Sequence, residues 1–337
     1  MRIALFFLLA FCLEKTALAA PFQLHNRIVF TRGYWTQVEQ SETVWTMNSD
    51  GGDQKRVWRV PKGYGKFGGF SRDGKRALSF NHFNLYVHDL QIKHIHRVLL
   101  WSGGWGTSIG APSFSPDGKR IVCAISNFAG SFWSRTLCLR ADKFYQGLQS
   151  PMLAPTGKGV PENTQWQTPS WSADGQHVAL VGGLSWSASP PSPVCQTDIW
   201  TLGVDGREAH RLARTPAWEL EPVWSPDGRH IAFVRRTDVV DGGDGYLYGY
   251  NLWLADTSDE NEKSLTSYPL KGDEILAHNF SGTSTVVSTP RFSPDGTRIA
   301  FQEEIELGKR GSGIFTVDAA GTHRKRLSDG QLVQWIP

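Results

Sequence analysis

The sequence has few cysteines, few methionines and no apolar segment long enough to cross a membrane. Four Cys and three Met occur among 337 residues, and the longest apolar run, residues 3–13, is shorter than the about 20 residues that a membrane-spanning helix needs. An excess of one charge is also lacking, since 35 Lys and Arg accompany 32 acidic residues. This balance is too even to indicate a nucleic-acid or polybasic membrane partner.

Tryptophan and glycine are abundant instead. The chain contains 14 Trp and 35 Gly, a composition that indicates aromatic, turn-rich β-structure rather than helix. A length of 337 residues suits two average domains or one large repeat domain.

The first 19 residues have the pattern of a signal peptide. Arg2 supplies a positive start, residues 3–13 are apolar, and Ala17-Leu18-Ala19 offers a small-x-small cleavage site. We therefore predict that residues 1–19 are removed on export to the periplasm or out of the cell. Residues 20–337 are then expected to form a single domain.

Export would permit disulfide bonds. Loss of Cys12 with the signal peptide leaves Cys123, Cys138 and Cys195, an odd number that allows at most one internal bridge. For Cys123 and Cys138 we favour the interpretation that they are small buried residues.

One phrase recurs five times: an aromatic residue, Ser, a variable residue, Asp and Gly. The copies lie at residues 70–74, 114–118, 171–175, 224–228 and 292–296. Each is expected to be a strand end followed by a turn, because Asp can accept hydrogen bonds from the turn backbone and Gly tolerates positive φ. Three copies carry Pro at the variable position, where its fixed φ suits a type I turn.

Short β-runs follow every copy of this phrase. A second strand is predicted at residues 76–80, 120–123, 177–180, 230–233 and 298–301, each opening on a basic residue. A third is predicted at residues 85–87, 137–139, 199–201, 252–254 and 314–316, and most units add a fourth that runs from basic to apolar. Four short antiparallel strands per repeat are typical of a β-propeller blade.

The two ends of the chain decide the number of blades. Residues 27–30 match a second strand but have no preceding phrase, whereas residues 332–335 match a first strand after which the chain stops. We therefore predict an all-β, six-bladed propeller whose first blade is closed by the C-terminal strand. Such closure removes an exposed sheet edge.

These repeats resemble the TolB-type propeller repeat, a WD-like blade. The Ser-Pro-Asp-Gly turns at residues 115–118, 225–228 and 293–296 carry the resemblance, which covers residues 27–337. It implies the propeller fold but not a function, because one fold supports many functions. It also implies that the separate N-terminal α/β domain of TolB has no counterpart in this chain.

Blade topology assigns the connections to two sides. Turns between first and second and between third and fourth strands share one side, which we call the turn side. Connections between second and third strands, and between blades, share the loop side, where the length variation is concentrated. Trp and Tyr are favoured at interfaces, and the loop side has many, from which we take eight candidate partner-binding residues: Trp35, Trp105, Trp133, Trp166, Trp186, Trp218, Tyr246 and Tyr248.

The function that we expect is non-catalytic binding of a protein or an envelope glycan. No catalytic set, cofactor motif or metal-ligand spacing is evident; residues 106–110 fit the nucleophile-elbow pattern, but the strand-to-helix turn that this pattern requires is not predicted. Two alternatives stay open: a polysaccharide lyase or hydrolase with its site at the central channel, and a structural subunit of a larger envelope complex. Glu219 and Glu221 alternate before a first strand, so one of them is expected to point towards the channel.

Overall fold

The fold was taken from a computed structural model. It describes residues 24–32, 42–102, 106–127, 133–147, 150–153, 155, 160, 164–183, 197–212, 215, 217–240, 246–258, 261–267, 285–305 and 313–336. Of residues 237–240, 246–249, 285–286 and 304–305 it describes the backbone alone. The predicted signal peptide lies outside these stretches, as do Trp35, Trp105, Trp186 and Cys195. Within them, all the regular elements are β-strands.

The first three blades each contain four antiparallel strands, named in order from the innermost outwards. Blade 1 consists of β25 (Gln331–Ile336), β1 (Arg27–Arg32), β2 (Thr43–Met47) and β3 (Lys55–Arg59). Blade 2 consists of β4 (Lys66–Phe70), β5 (Arg76–Phe80), β6 (Asn84–Asp89) and β7 (His94–Leu100). Blade 3 consists of β8 (Thr107–Phe114), β9 (Arg120–Asn127), β10 (Trp133–Arg140) and β12 (Met152–Leu153). On the way to β12, the chain adds β11 (Tyr145–Gln146) in parallel to the outer edge of blade 2.

The other three blades repeat this order. Blade 4 consists of β13 (Gln165–Trp171), β14 (His177–Gly183), β15 (Thr197–Gly203) and β16 (His210–Arg211). Blade 5 consists of β17 (Glu219–Trp224), β18 (His230–Val240), β19 (Tyr246–Asp256) and β20 (Glu262–Ser264). Blade 6 consists of β21 (Thr285–Phe292), β22 (Arg298–Ile305), β23 (Gly313–Asp318) and β24 (Lys325–Ser328). The predicted six-bladed, all-β fold is confirmed.

The C-terminal strand closes blade 1. β25 pairs antiparallel with β1, with Ile28 opposite Trp335 and Val29 opposite Gln334. The indole Nε1 of Trp335 also donates a hydrogen bond to Asn26 Oδ1 at 3.2 Å. The predicted closure is therefore confirmed, and it joins residues from opposite ends of the sequence.

The core lies between the blades rather than at the axis. The buried apolar side chains among the described residues form six clusters, each shared by two neighbouring blades. At the seam between blades 6 and 1, for example, Trp335 and Ile28 pack with Ala300 and Ile314. Every joint of the ring therefore contains a hydrophobic layer, including the joints made by the closing strand.

The repeated phrase folds as predicted. In all five copies the serine Oγ donates to the aspartate Oδ1 at 2.5–2.6 Å, and the glycine N–H donates to the serine carbonyl. The serine hydroxyl, followed by a backbone N–H, lowers the pKa of Asp117, Asp174 and Asp295. Each turn is thus held by its own polar groups, and its aspartate is stabilised as the anion.

The basic residue that opens the second strand has a structural role. The guanidinium of Arg76 lies 5.1 Å from the ring of Phe114, and that of Arg120 lies 5.0 Å from the ring of Trp171. In both pairs the arginine belongs to one blade and the aromatic ring to the next, in the distance range of a cation–π contact. These recurring residue types therefore connect consecutive blades.

The two described cysteines are not placed to form a disulfide. Cys123 lies opposite Leu137 and Cys138 lies opposite Val122 in the pairing of β9 with β10. Their side chains therefore point to opposite faces of blade 3, one towards blade 2 and the other towards blade 4. Burial raises the pKa of Cys123 to about 12, so it is a neutral thiol.

Candidate binding face

The turn side consists of short connections closed by their own backbone. Between third and fourth strands, Gly51 N–H donates to Asn48 O at 3.0 Å, Gly206 to Gly203 at 2.9 Å and Gly321 to Asp318 at 2.8 Å. Together with the serine–aspartate turns, these bonds satisfy the backbone of this side locally. Of the eight candidate residues, the structure describes the side chains of Trp133, Trp166 and Trp218.

Trp133 lies at the loop-side end of blade 3. It is the first residue of β10, opposite Asn127, and its side chain is half-buried. Its ring makes an edge contact with the buried Trp101 at 6.0 Å, and the guanidinium of Arg135 lies 5.4 Å from it. The indole therefore has one side fixed by packing and another accessible to solvent.

Trp166 belongs to the core of its blade. It lies in β13, is 7% exposed, and makes an edge contact with Trp200 at 5.7 Å. A Cβ atom on Gly182 would lie 2.5 Å from the Trp166 ring, so this glycine provides the space for the indole. Of the described tryptophan candidates, this one offers the least surface to a partner.

Trp218 lies at the loop-side end of blade 5, immediately before β17. Its backbone forms a parallel bridge with Thr197 of blade 4, and its side chain is half-buried. The guanidinium of Arg236 lies 4.6 Å from its ring. Trp133 and Trp218 therefore share one arrangement, a half-buried indole with a stacked arginine.

Tyr246 and Tyr248 lie in a strand and not, as predicted, in a loop. Both are residues of β19, where Tyr246 lies opposite Val240 and Tyr248 opposite Asp238. The hairpin of β18 and β19 has 11 residues in each strand, longer than any other strand pair described. The loop assignment is corrected because strand pairing continues to Val240 and Tyr246, through residues that local composition alone marked as loop.

A buried charged cluster is centred on Glu219, the residue that follows Trp218 in the sequence. Arg235 donates to Glu219 Oε1 through Nε at 3.0 Å and Nη2 at 2.6 Å, and it also pairs with Glu262 Oε2 at 2.7 Å. Glu219 is fully buried, and the ring of Trp253 lies 4.3 Å from the guanidinium. Sequence pattern singled out Glu219 but not its partner, which lies 16 residues away on the adjacent strand.

Glu219 also connects blade 5 to blade 4. Its Oε2 accepts the N–H of Ile199 at 3.3 Å, and its backbone N–H and C=O bond the hydroxyl of Thr197 at 2.9 and 2.8 Å. Burial raises the pKa of Glu219 to about 7, although Arg235 opposes the shift. The cluster fixes the strand that begins next to Trp218, so it supports the candidate face from below.

Glu221, the other member of the predicted pair, joins two of the innermost strands. It lies on β17, and its carboxylate accepts the N–H of Thr289 on the innermost strand of blade 6. On that strand, Arg291 Nε donates to Val333 O of blade 1 at 2.7 Å. Burial raises the pKa of Glu221 and lowers that of Arg291. Glu221 therefore links the innermost strands of blades 5 and 6, and Arg291 links those of blades 6 and 1.

The described residues contain no evident catalytic set. None of their His, Cys, Asp and Glu side chains form a group of three that could hold a metal ion. Ser108, the serine of the elbow-like pattern, lies within β8 opposite Ser126 and not at a strand-to-helix turn. Ser79 Oγ and His88 Nε2 are 2.7 Å apart, but both side chains are buried between blades 1 and 2.

Comparison with known proteins connects this fold to TolB. The chain is 24% identical over 180 residues to a TolB homologue of Chlorobium chlorochromatii, a match that covers 47% of this chain and 38% of that protein. No family profile matches the chain. Among the described residues, no helix has the length and apolar character needed to cross a bilayer.

Solved structures show the same architecture. A TolB-type protein of Agrobacterium tumefaciens superposes with a TM-score of 0.54 at 20% identity, covering 85% of this chain and 88% of that one. TolB of Acinetobacter baumannii gives 0.57 at 18% identity, covering 93% and 67%. An oligogalacturonate lyase in complex with manganese gives 0.53 at 13% identity, covering 92% and 80%. At these identities the likeness concerns the fold. In its repeats and its fold, the chain is a six-bladed β-propeller that is similar to the propeller of TolB proteins.

Proposed function

We propose that this chain is an exported, non-catalytic binding protein of the bacterial cell envelope, and that its loop side binds a protein or a glycan. The observation that carries the proposal is the contrast between the two sides. The turn side is made of tight, internally bonded turns, whereas the loop side presents the indoles of Trp133 and Trp218 with a stacked arginine on each. Function is usually carried by such connections on a rigid scaffold.

The location rests on the sequence and on the relatives. Residues 1–19 have the signal-peptide pattern, and residues 20–337 would then form the exported propeller as one domain. The similarity to TolB proteins supports an envelope location for a chain with this fold. Neither the partner nor the ligand of those proteins is assigned to this chain.

Tryptophan and arginine are the side chains that would supply most of the binding energy. Both are enriched among the few residues that dominate interfaces, because they bury a large area and keep a polar group for orientation. The face of an indole can also stack on a sugar ring. Trp35, Trp105 and Trp186 complete the proposed set of binding tryptophans, and Trp166 supports it from within blade 4.

The test compares the loss of the two candidate indoles with the loss of another indole that also has an arginine beside it. We expect the Trp133→Ala/Trp218→Ala double variant of the exported chain to bind its partner more than tenfold more weakly, because an interface residue of this type contributes about 2 kcal/mol. Binding is measured by capture from a solubilised envelope extract and on a glycan array. Trp45→Ala is the control. Trp45 is also half-buried, and Arg32 lies 4.8 Å from its ring, but Trp45 is not one of the candidate binding residues. Unchanged binding by a folded double variant would contradict the proposal.

A further inference from the structure

The even charge of the whole chain conceals a strongly basic segment. Residues 54–100 contain ten Lys and Arg but only two acids, Asp73 and Asp89, whereas the chain as a whole has 35 and 32. The remainder is therefore net negative. The basic segment begins at the outer strand of blade 1 and includes all of blade 2. Charge is thus concentrated in one sector of the ring.

Several of these basic side chains stand on the turn side. Arg72 lies in the first turn of blade 2, Lys93 lies in its second turn, and Arg56 lies near the start of β3. All three are exposed, and none has an ion-pair partner among the residues described. Their charges are therefore available to a ligand.

The two acids of the segment accept hydrogen bonds within their own turns. Asp73 Oδ1 accepts the hydroxyl of Ser71 at 2.6 Å and the N–H of Lys75 at 3.1 Å. Asp89 Oδ1 accepts the N–H groups of Gln91 and Ile92 at 2.9 and 3.1 Å. Both carboxylates are directed at the turn backbone. In the adjoining turn of blade 1, the exposed Asp53 pairs with Arg27 and Lys55, and Asp50 accepts the N–H of Gly52 at 2.8 Å.

An apolar side chain protrudes beside these charges. Ile92 is 72% exposed at the tip of the second turn of blade 2, between Gln91 and Lys93. On the outer edge of the same blade, Phe144 is 48% exposed, and the Arg97 guanidinium lies 5.6 Å from its ring. A protruding apolar residue next to unpaired cations is the combination with which peripheral proteins engage anionic bilayers.

The opposite sector of the turn side carries charges of both signs. Its exposed side chains include four acids, which lie in the corresponding turns of blades 4, 5 and 6: Asp205, Glu208, Asp227 and Asp295. They also include four basic residues in or beside the same turns: Arg207, Arg229, Lys263 and Lys325. The excess of basic side chains therefore distinguishes the segment at blades 1 and 2.

We propose that the turn side of blades 1 and 2 is a docking surface for an anionic lipid bilayer. Arg56, Arg72 and Lys93 contact the lipid headgroups, and Ile92 inserts between them. The exposed groups stand on separate turns of the same side of the ring. In this orientation the loop side faces away from the bilayer and stays accessible, so the docking surface does not depend on the proposed binding function.

The test uses the full exported chain and lipid vesicles. We expect it to co-sediment with phosphatidylcholine vesicles that contain phosphatidylglycerol, to dissociate as salt is added, and not to bind phosphatidylcholine alone. The Arg56→Glu/Arg72→Glu/Lys93→Glu variant should bind at least tenfold more weakly. The matched control is Arg207→Glu/Arg229→Glu/Lys263→Glu, which makes the same change in net charge on blades 4 and 5 and should bind like the parent chain. An equal loss in both variants would overturn the proposal, since net charge alone would explain it.

Ile92 separates a bilayer from a soluble polyanion. Ile92→Ser should weaken vesicle binding severalfold, and the indole fluorescence of Ile92→Trp should shift to the blue on the anionic vesicles, in excess of any shift of the parent chain. If Ile92→Ser bound as the parent does, and polygalacturonate displaced the chain from vesicles at an equal concentration of charge, the surface would be a polyanion site and the lipid proposal would be wrong. Thermal melting of every variant shows whether it is folded.

Discussion

Two joints of the ring, between blades 1 and 2 and between blades 4 and 5, each bury a titratable side chain in a different environment. At the first, His88 is 2% exposed, accepts or donates one hydrogen bond with Ser79, and meets the ring of Trp58 edge-on at 5.1 Å. At the second, the fully buried Glu219 bonds Arg235 through two nitrogens. One joint is neutral and aromatic, whereas the other is ionic.

The difference shows how a propeller can vary its joints while keeping its blades alike. Both joints contain a hydrophobic layer. The polar residue buried beside that layer contacts the adjacent blade, His88 through the Trp58 ring and Glu219 through the N–H of Ile199. Burial lowers the pKa of His88 to about 4 and raises that of Glu219 to about 7. Because desolvation disfavours the charged form in both cases, the two joints respond to pH in opposite directions.

The largest effect should come from opening the joint that the closing strand completes. Deletion of residues 328–337 removes β25, which exposes the edge of β1 and takes Trp335 out of the core. We expect the single thermal transition to be lost or replaced by aggregation, as measured by calorimetry. A synthetic peptide of residues 328–337 added in trans should restore part of the transition. An unchanged transition in the truncated chain would contradict closure.

A smaller effect should come from breaking the ionic joint. Arg235→Met leaves the Glu219 and Glu262 carboxylates without their shared guanidinium, and removing one partner of a buried ion pair costs about 3–5 kcal/mol. The free energy of unfolding in urea measures the loss. Arg140→Met is the control, because Arg140 forms an exposed pair with Asp142, and exposed pairs contribute little to stability. Similar losses in the two variants would show that burial does not set the strength of this pair.

The smallest of the three effects is the pH dependence of the neutral joint. His88 has a folded pKa of about 4 against an ordinary value of 6.5, so the unfolded chain takes up a proton first. The stability from this site is present above pH 6.5 and is lost as the pH falls towards 4, by about 3 kcal/mol. His88→Gln should flatten this part of the unfolding profile.

The stability contributed by Glu219 should depend on pH in the opposite direction. Its folded pKa of about 7 lies above the ordinary value of 4.5, so its contribution is present below pH 4.5 and is lost as the pH rises through 7. Glu219→Gln should therefore change the slope in the opposite sense to His88→Gln. Slopes of the same sign would show that the two joints do not differ as described.

The blades could be predicted from the sequence because each turn and strand is specified by residues close together in the chain. The five serine–aspartate turns are encoded within five residues each, and the two unmatched end strands identified the closure that the pairing of Ile28 with Trp335 confirms. The role of Arg76 and Arg120 at the joints was not predicted, although their recurrence was visible. Their aromatic partners lie in the next blade, so pattern within one repeat could not identify them.

The candidate site was less predictable for the same reason. The burial of Trp166 depends on Gly182 and Trp200 of neighbouring strands, and the local sequence does not record this packing. The partner of Glu219 is likewise set by strand pairing. The basic sector of blades 1 and 2 was missed because the charge was averaged over the whole chain, where acids of other blades cancel it.

The closing strand also governs how the protein can be made. The indole of Trp335 bonds Asn26, 309 residues earlier, so β1 has no inner neighbour until the last segment of the chain has been synthesised. Contacts between residues so far apart in the sequence form slowly during folding. If the chain is exported unfolded from its N-terminus, blade 1 remains incomplete until residues 331–336 have also crossed the membrane. The ring can therefore close only after residues 331–336 have been synthesised.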